Sequence, residues 1–202
     1  MERVKRVEAA KRIPVIELEE KHILETQLIT NRSRLLELMP ENGVWAEIGV
    51  NRGEFSREII EKAKPEKLHL IDAWASERYH QGLRELVEQL FAAEIGTGVV
   101  EINQGYSTDV LKVFPDHYFD CVYIDTAHTY DVTRDELAIL ENKMKPGGLI
   151  CGHDYINSCW RNAVKYGVVE AVHEFCVLHD WRIVYLTNET HQHRSFCLSR
   201  IR

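Results

Sequence analysis

Two short segments of the sequence combine acids and histidines at spacings that could hold a metal ion or move a proton. In the first, Asp125 is followed three residues later by His128, and in the second His153 and Asp154 are adjacent. Each segment follows an apolar run typical of a buried strand, so both pairs are expected at strand ends. Neighbouring parallel strands lie about 4.8 Å apart, so Asp125 and Asp154 are expected to converge on one site.

This pair of acids points to a divalent cation, because two carboxylates brought together repel unless a proton or a cation lies between them. A metal lowers the pKa of a bound hydroxyl group, and a nearby histidine can then accept its proton near neutral pH. Magnesium prefers oxygen ligands, whereas imidazole suits manganese, iron, nickel or zinc. Two alternatives therefore stay open: the metal is not magnesium, or His153 is not a ligand. The competing explanation is structural, with acids in caps or turns and histidines on surface loops.

A loop with two glycines precedes these acids in the chain. Gly49 and Gly53 are separated by three residues, between an apolar strand and a helix, and permit a tight turn and close approach of a ligand. The spacing differs from the G-x-G-x-x-G of dinucleotide enzymes, so a nicotinamide oxidoreductase is the least favoured enzyme class. Glu47 would repel a diphosphate and attract the ammonium group of an amino-acid-like ligand. An ordinary strand–helix turn is the competing interpretation.

Two further strand ends carry residues suited to a nucleoside. Asp72 closes the second apolar strand, where an acid accepts hydrogen bonds from ribose hydroxyls, and Trp74 could stack near an adenine. Residues 104–107 follow the third strand and would place a small residue and a hydroxyl group beside the expected adenine pocket. The structural alternatives are a helix cap for Asp72 and a core aromatic for Trp74.

These segments lie within an alternation of strand and helix patterns, which predicts a parallel α/β sheet. Strands are expected at 44–48, 67–71, 98–103, 119–124, 149–152, 181–186 and 195–198, and helices at 54–63, 79–93, 108–113, 132–144 and 163–178. The last two strands lack an intervening helix, so a hairpin with one antiparallel strand is expected. The stretch 15–39 is expected to be helical, within an N-terminal extension over 1–43 that precedes one domain over 44–202.

Composition favours a soluble protein. The 202 residues are 45% hydrophobic and 28% charged, as in ordinary globular proteins, and the formal net charge is −7. The acidic balance argues against a nucleic-acid partner, which needs clustered positive charge. No apolar run suits a membrane span or a secretory signal, so no membrane partner is expected. The five scattered cysteines favour a reducing, cytoplasmic setting.

The order of these motifs resembles the class I S-adenosylmethionine-dependent methyltransferases. Within them the chain is similar to the small metal-dependent O-methyltransferases that include the macrocin and mycinamicin sugar methyltransferases. The matching segments are 47–56, 71–74, 104–107, 122–130, 145–155 and 168–181. The resemblance implies a Rossmann-like methyltransferase fold: a mostly parallel seven-stranded sheet, a C-terminal antiparallel hairpin and helices on both faces.

The resemblance also implies roles for individual residues. Asp125 and Asp154 would bind the metal, magnesium or manganese, and His128 would be the base of an Asp-x-x-His motif. His153 is a further candidate ligand, although the sugar enzymes have an acid there. The implied cofactor-binding residues lie at four strand ends: Glu47, Gly49, Asn51, Arg52, Gly53, Ser56, Asp72, Ala73, Trp74, Gly105, Tyr106, Ser107 and Asp125.

The expected function is transfer of a methyl group from S-adenosylmethionine to a hydroxyl group of a small molecule. Two alternatives stay open: a metal-independent N- or C-methyltransferase, and a non-catalytic methyltransferase-like module that binds the cofactor or a partner. Metal dependence of turnover separates the first alternative from the expected function. The specificity for the acceptor resides in grafted loops rather than in the fold.

Several residues outside these motifs are assigned weaker roles. Apolar residues before the first predicted strand, such as Ile23, Leu24 and Leu28, predict a homo-oligomer, with a dimer as the expected form. The segment 191–193 is expected to be an exposed hairpin loop despite its two histidines. The remaining candidates for substrate contacts are Tyr79, His80, Trp160 and Arg161.

Overall fold

The computed structural model describes residues 12–159, 164–190 and 193–201. The described chain begins with a short 3₁₀ helix at Glu20–His22. Its strands are β1 (Gln27–Ile29), β2 (Val44–Ile48), β3 (Lys67–Asp72), β4 (Val100–Gln104), β5 (Phe119–Ile124), β6 (Met144–Gly152), β7 (Ser158–Cys159), β8 (Val164–Lys165), β9 (Trp181–Thr187) and β10 (Phe196–Arg200). Its α-helices are α1 (Arg32–Glu37), α2 (Glu54–Ala63), α3 (Gln81–Leu90), α4 (Ala92–Gly96), α5 (Ser107–Val113), α6 (Tyr130–Lys143) and α7 (Val168–His179).

The central sheet has eight strands in the order β1-β9-β10-β6-β5-β2-β3-β4, and β7 pairs with β8 separately. Strands β2 to β6 are parallel to one another. Strand β10 is antiparallel to both of its neighbours, β6 and β9. The ends of β2 to β6, the end of β9 and the beginning of β10 therefore share one edge. This confirms the predicted mostly parallel sheet with a C-terminal antiparallel hairpin.

The N-terminal segment corrects the prediction of a helix over 15–39. It contains the 3₁₀ helix, β1 and α1, and β1 pairs in parallel with β9, which gives the sheet an eighth strand instead of the expected seven. Leu35 and Leu36 of α1 are buried, whereas Leu24 and Leu28 are exposed. The apolar residues therefore do not form one helical face, and the backbone bonds between β1 and β9 decide the local structure.

Two other helices differ from their predicted bounds. The helix expected over 79–93 is divided near Phe91 into α3 and α4. The helix expected from Ala163 begins at Val168, and Ala163 lies outside the described residues. A Cβ atom at Gly167 would lie 2.2 Å from the backbone nitrogen of Tyr130, so the chain passes directly against the beginning of α6 before α7 starts.

Apolar side chains cover both faces of the sheet. One core cluster joins α6 and α7 to the sheet, and the other joins α1, α2 and α3 to the opposite face. This confirms the prediction of helices on both faces. Cys121 and Cys151 are buried free thiols within this packing, as expected for small core residues. Among the described residues, no helix combines the length and apolar character needed to cross a membrane.

Candidate active site

The acids and histidines predicted at two strand ends are brought together. One ligand atom from each of Asp125, His128 and Asp154 lies within 4.8 Å of the others. Nδ1 of His128 lies 2.9 Å from Oδ2 of Asp154. The sheet causes this proximity, because the last residue of β5, Ile124, is paired with the last residue of β6, Gly152.

The backbone at this cluster is held in an uncommon conformation. His128 has a φ of 56° and Asp154 a φ of 58°, in the left-handed region that few residues other than glycine adopt. The carbonyl oxygen of His128 accepts a hydrogen bond of 2.9 Å from Gly167, and Tyr155 donates one of 2.9 Å to Arg194. Such conformations persist where surrounding contacts fix them, and they are enriched at functional sites.

His193 joins the cluster, contrary to the prediction that segment 191–193 is only an exposed loop. Its Nδ1 forms a hydrogen bond with Oδ1 of Asp154, so a histidine contacts each oxygen of that carboxylate. Phe196 of β10 is paired with Gly152 of β6, and this register brings the loop before β10 to the loop after β6. The two histidines of segment 191–193 were the sequence feature that could have indicated this role. Residues 191 and 192 themselves lie outside the described residues.

The electrostatics of the cluster separate the roles of its two acids. Burial and the neighbouring charge of Asp154 raise the pKa of Asp125 to about 6. Burial alone would raise the pKa of Asp154 as well, but a hydrogen bond and positive charge from His128, together with a hydrogen bond from His193, lower it to about 2. Burial opposes protonation of His128, yet its contact with Asp154 raises the pKa of the imidazole above 6.5. Asp154 is therefore the anionic centre of the cluster.

His153, predicted as a further metal ligand, lies beside this cluster, with its ring 6.4 Å from that of His193 between centroids. Its Nδ1 is 3.0 Å from the hydroxyl oxygen of Ser195, and Ser195 is also 3.0 Å from the hydroxyl of Tyr123. Burial lowers the pKa of His153 to about 4, so its imidazole is neutral at pH 7. The set of grouped ligand atoms contains His128 in its place.

The glycine loop lies directly against the end of β5. A Cβ atom at Gly49, whose φ is +92°, would lie 2.0 Å from the carbonyl oxygen of Asp125, so only glycine fits there. The backbone nitrogen of Asp125 donates a hydrogen bond of 2.8 Å to Ile48. Gly53 has a φ of +80° and begins α2. The loop and the acid cluster therefore form one continuous surface.

Asp72 organises this loop from the end of β3. Its Oδ2 accepts hydrogen bonds of 2.9 Å from the backbone nitrogens of Val50 and Asn51, and its Oδ1 accepts one of 3.0 Å from Trp74. The indole nitrogen of Trp74 donates to the carbonyl oxygen of Asn51 at 3.0 Å. A carboxylate offers about four acceptor positions, so capacity for a ribose hydroxyl remains.

Trp74 and the pair Glu47–Ser56 are placed differently from the prediction. The Trp74 side chain is only 3% exposed and packs in the core, which is the structural alternative to stacking on an adenine. Ser56 donates a hydrogen bond to Glu47, and both side chains are buried. Burial raises the pKa of Glu47 to about 8, so this acid is neutral at pH 7 and enclosed by protein. Through Ser56 it connects the end of β2 to the first turn of α2.

A buried acid that the sequence analysis missed joins the ends of β4 and β5. Glu136 of α6 accepts a hydrogen bond of 2.5 Å from the hydroxyl of Ser107 and one of 3.0 Å from Thr126. Burial raises the pKa of Glu136 to about 7. A lone glutamate within an amphipathic helix pattern gives no sequence signal for this position.

The other predicted cofactor residues lie along the same edge. Gly105 donates a hydrogen bond of 3.0 Å to the carbonyl oxygen of Asp72, and Ala73 accepts one of 3.2 Å from Gln104. Arg52 and Tyr106 are exposed.

The weaker substrate candidates are spread over the chain. His80 caps α3 by accepting a hydrogen bond of 3.2 Å from Gly82, and Tyr79 packs against the core. Trp160 and Arg161 lie outside the described residues.

Arg32 is a second residue that the sequence analysis missed. Its Nη1 lies 4.0 Å from Oδ2 of Asp125, and its guanidinium lies over the ring of Phe55 at 4.4 Å from the centroid. It reaches the site because β1 ends at the same sheet edge as β5 and α1 begins there. The prediction of a continuous N-terminal helix concealed this position.

Comparison with known proteins identifies the type of domain. A family model described as "Methyltransferase domain" matches residues 46–155, more than half of the 202 residues. This match includes the glycine loop, Asp72 and the cluster of Asp125, His128 and Asp154. A comparison with curated proteins finds no match.

Solved structures share the fold at low sequence identity. The pyocyanin biosynthetic protein PhzM is 11% identical with a TM-score of 0.63, over 84% of this chain and 54% of that one. A B. subtilis M1A22 tRNA methyltransferase, TrmK, is 12% identical with a TM-score of 0.60, over 86% and 67%. A SAM-dependent methyltransferase from Aquifex aeolicus is 13% identical with a TM-score of 0.59, over 84% and 88%. The chain thus spans about half the length of PhzM.

Proposed function

Because the chain belongs to the methyltransferase-domain family, we propose that it transfers the methyl group of S-adenosylmethionine to a hydroxyl group of a small molecule. Its fold is that of the class I S-adenosylmethionine-dependent methyltransferases. The observation that carries the proposal is the grouping of Asp125, His128 and Asp154 within 4.8 Å, directly beside the glycine loop. Acceptor activation and the methyl donor would then meet at one sheet edge.

S-Adenosylmethionine supplies an electrophilic methyl group, and the chain's own residues have to position it. Gly49 and Gly53 give the loop its positive φ angles, and the missing side chain at Gly49 lets the loop pack directly against the backbone of Asp125. Asp72 fixes the loop through three backbone hydrogen bonds and keeps acceptor capacity for a ribose. Ser107, held by Glu136, begins α5 beside the same edge.

His128 is the base of the proposed reaction. Its Nδ1 contacts Asp154, which orients the ring and stabilises the protonated imidazole. With Nδ1 engaged in this way, Nε2 is the nitrogen that would accept a proton from the acceptor hydroxyl. The ring also stacks on Tyr166 at 5.0 Å between centroids, which restricts its rotation.

The donor set of the cluster fits a divalent cation. Asp125 and Asp154 would hold it, because two neighbouring carboxylates at this separation are stabilised by a shared positive charge. A bound cation would lower the pKa of an acceptor hydroxyl and fix its orientation. The imidazoles of His128 and His193 beside the acids favour manganese over magnesium, since magnesium prefers oxygen ligands.

A metal-independent methyltransferase is the second candidate, and one observation favours it. Each oxygen of Asp154 already contacts a histidine, so hydrogen bonds with His128 and His193 can stabilise this carboxylate without a metal. His128 and Asp154 would then act as a dyad in which the acid orients the base.

A small acceptor is favoured over a nucleic acid. The net charge of −7 gives no broad attraction for a phosphate backbone. Acids are also prominent at the site itself, where Asp125, Asp154 and Glu136 contribute side chains.

The proposal is tested by measuring cofactor binding and turnover on the same protein. Calorimetry with S-adenosylhomocysteine is expected to show one site per chain, and NADH is expected not to bind. Methyl transfer from labelled S-adenosylmethionine to a library of small hydroxylated molecules is then assayed with added manganese and with chelator. Failure of S-adenosylhomocysteine to bind would disprove the proposal, whereas full turnover in chelator would select the metal-independent candidate.

A further inference from the structure

A cavity of about 770 Å³ lies at the sheet edge beside the candidate site. The loop from β1 to α1 and residues 188–190 after β9 form two of its sides, and α2 contributes Glu58 on a third. The residues used in the argument below are Asn31, Arg32, Arg34, Glu58 and Glu189. The lining combines these polar side chains with the apolar residues Leu28 and Ile29. Arg32 lines the cavity, and its guanidinium lies 4.0 Å from Asp125, so this side chain connects the cavity to the proposed reaction centre.

The backbone of Arg32 is fixed from two directions. Its nitrogen donates a hydrogen bond of 2.8 Å to Oε1 of Glu189, and Oε2 of Glu189 accepts one of 3.0 Å from Thr187. The Asn31 side chain caps the same turn by accepting a hydrogen bond of 2.8 Å from Arg34. These bonds use backbone groups and neighbouring residues, so they do not depend on the Arg32 side chain.

The guanidinium of Arg32 is held in place but lacks a close anionic partner. Its stacking on Phe55 restricts rotation, and the side chain is 20% exposed. Among the described residues no hydrogen bond to this guanidinium is formed, and its ion pair with Asp125 has a separation of 4.0 Å. A guanidinium carries five N–H donors in a planar fork that matches a carboxylate.

The two acids that line the cavity have other partners. Glu58 accepts a hydrogen bond of 2.6 Å from the hydroxyl of Ser33. Both oxygens of Glu189 accept hydrogen bonds, from the Arg32 backbone and from Thr187. Arg34, the other arginine of the lining, pairs with Glu37 at 3.1 Å. Arg32, whose anionic partner Asp125 is 4.0 Å away, is therefore the arginine of this lining that is better placed to bind a ligand anion.

We propose that Arg32 binds a ligand carboxylate where the cavity meets the candidate site. The carboxylate has two possible sources: the amino-acid end of the methyl donor and an acidic group on the acceptor. Both sources rest on the function proposed above, whereas binding of a simple carboxylate by Arg32 can be tested independently of it. Both use the same chemistry, a two-pronged hydrogen bond between the guanidinium fork and the two carboxylate oxygens.

The test follows the Nε–H resonance of Arg32 in ¹⁵N-labelled protein, assigned from its loss in Arg32→Gln. One arm compares S-adenosylhomocysteine with 5′-methylthioadenosine, which lacks the amino-acid end. The other compares benzoate with benzamide, in protein saturated with S-adenosylhomocysteine or free of it. Dissociation constants are measured in parallel for wild type, Arg32→Gln, Arg32→Lys and the control Arg34→Gln.

The cofactor would be supported as the source if S-adenosylhomocysteine shifts the Arg32 resonance and 5′-methylthioadenosine does not. Arg32→Gln should then bind S-adenosylhomocysteine at least tenfold more weakly than wild type. A shift with benzoate but not benzamide in the saturated protein, with the same loss in Arg32→Gln, would support an acidic acceptor. The affinity of Arg32→Lys is expected to lie between those of wild type and Arg32→Gln, because lysine keeps the positive charge but lacks the planar fork of N–H donors. Arg34→Gln is expected to match wild type.

The proposal is overturned if neither S-adenosylhomocysteine nor benzoate shifts the Arg32 resonance. It is also overturned if the dissociation constants of Arg32→Gln for both ligands lie within twofold of the wild-type values. If S-adenosylhomocysteine does not bind even the wild-type protein, the proposed function fails, but the benzoate arm still tests Arg32 in the ligand-free protein. A wild-type unfolding temperature for Arg32→Gln is the required control, and it is expected because Glu189 binds the backbone of residue 32.

Discussion

Nδ1 of His128 lies 2.9 Å from Oδ2 of Asp154, and this contact joins the loop after β5 to the loop after β6. It couples the protonation of the histidine to an acid whose pKa is lowered to about 2. Asp154 therefore remains ionised over the range in which His128 titrates. The predictions below follow from this pair and from the residues around it.

His128→Ala is expected to lower the rate of methyl transfer by about 10²–10⁴-fold, the scale of a general base, while S-adenosylhomocysteine binding stays close to wild type. Asp154 raises the pKa of His128 above 6.5, so wild-type activity should fall as the pH drops through that raised value and the base becomes protonated. The pH–rate profile of His128→Ala should lack this limb. His179→Ala, a change at the end of α7, is the control; an unchanged rate in His128→Ala would remove His128 from the mechanism.

Asp125→Asn and Asp154→Asn are expected to weaken binding of manganese, because each removes one of the two negative charges proposed to hold it. Calorimetric titration of manganese measures the affinity, and turnover should partly return at high metal concentration. Asp154→Asn should also lower the pKa of His128, since it removes the neighbouring negative charge. Wild-type manganese affinity in both variants would place any cation elsewhere.

Asp72→Ala is expected to weaken S-adenosylhomocysteine binding by about 1.5–3 kcal/mol, the scale of hydrogen bonds to a charged group. Part of this loss reflects the loop, because Val50, Asn51 and Trp74 lose their acceptor. Asp72→Asn keeps one acceptor oxygen and should lie between wild type and Asp72→Ala. Calorimetry measures the affinities, and equal affinity in all three proteins would exclude Asp72 from ribose binding.

Glu47→Gln is expected to change how stability depends on pH. The folded-state pKa of Glu47 is about 8 against 4.5 for the ordinary group, so the folded state binds the extra proton between these values. Wild-type stability should therefore fall as the pH rises from about 4.5 to 8. Glutamine stays neutral, so the free energy of unfolding of the variant should rise relative to that of wild type over this range, by an amount on the order of 2–4 kcal/mol. Urea unfolding at pH 5 and pH 8 measures this; a pH-independent difference would contradict it.

The proposed dimer is expected to depend on apolar residues that remain exposed near β1. Leu24 is 70% exposed and Leu28 is 64% exposed. Leu28→Asp is expected to shift the protein toward monomer, because an apolar surface of this kind gains stability when a second copy covers it. Light scattering over a range of concentrations measures the mass, with Val113→Asp as a control at another exposed apolar residue. A wild-type protein that stays monomeric throughout would contradict the proposal.

Sequence periodicity was sufficient for the regular part of the fold. The bounds of β2, α2 and β5 match their predictions to the residue, because these strands are continuous apolar runs and the helix is bounded by Gly53 and Pro65. The segment 15–39 was predicted wrongly, because a short edge strand such as β1 is decided by its partner β9 rather than by its own pattern.

The candidate site was predictable where its residues follow parallel strands. Asp125 and Asp154 lie at neighbouring strand ends, and strand order alone brings such ends together. His193 and Arg32 come from a hairpin loop and from the N-terminal segment, whose positions depend on pairing between distant parts of the chain. The orientation of the His153 side chain was not predictable either, because its hydrogen-bond partner, Ser195, belongs to the same hairpin.

The pairing of β1 with β9 has a consequence for the order in which the protein is assembled during synthesis. Gln27 is opposite Tyr185, so a ribosome has to deliver the chain as far as β9 before β1 can find its partner. Closing so long a loop is slow relative to the local contacts of the inner strands, so we expect the sheet from β2 to β6 to form first. Arg32 would reach its position last, together with Glu189.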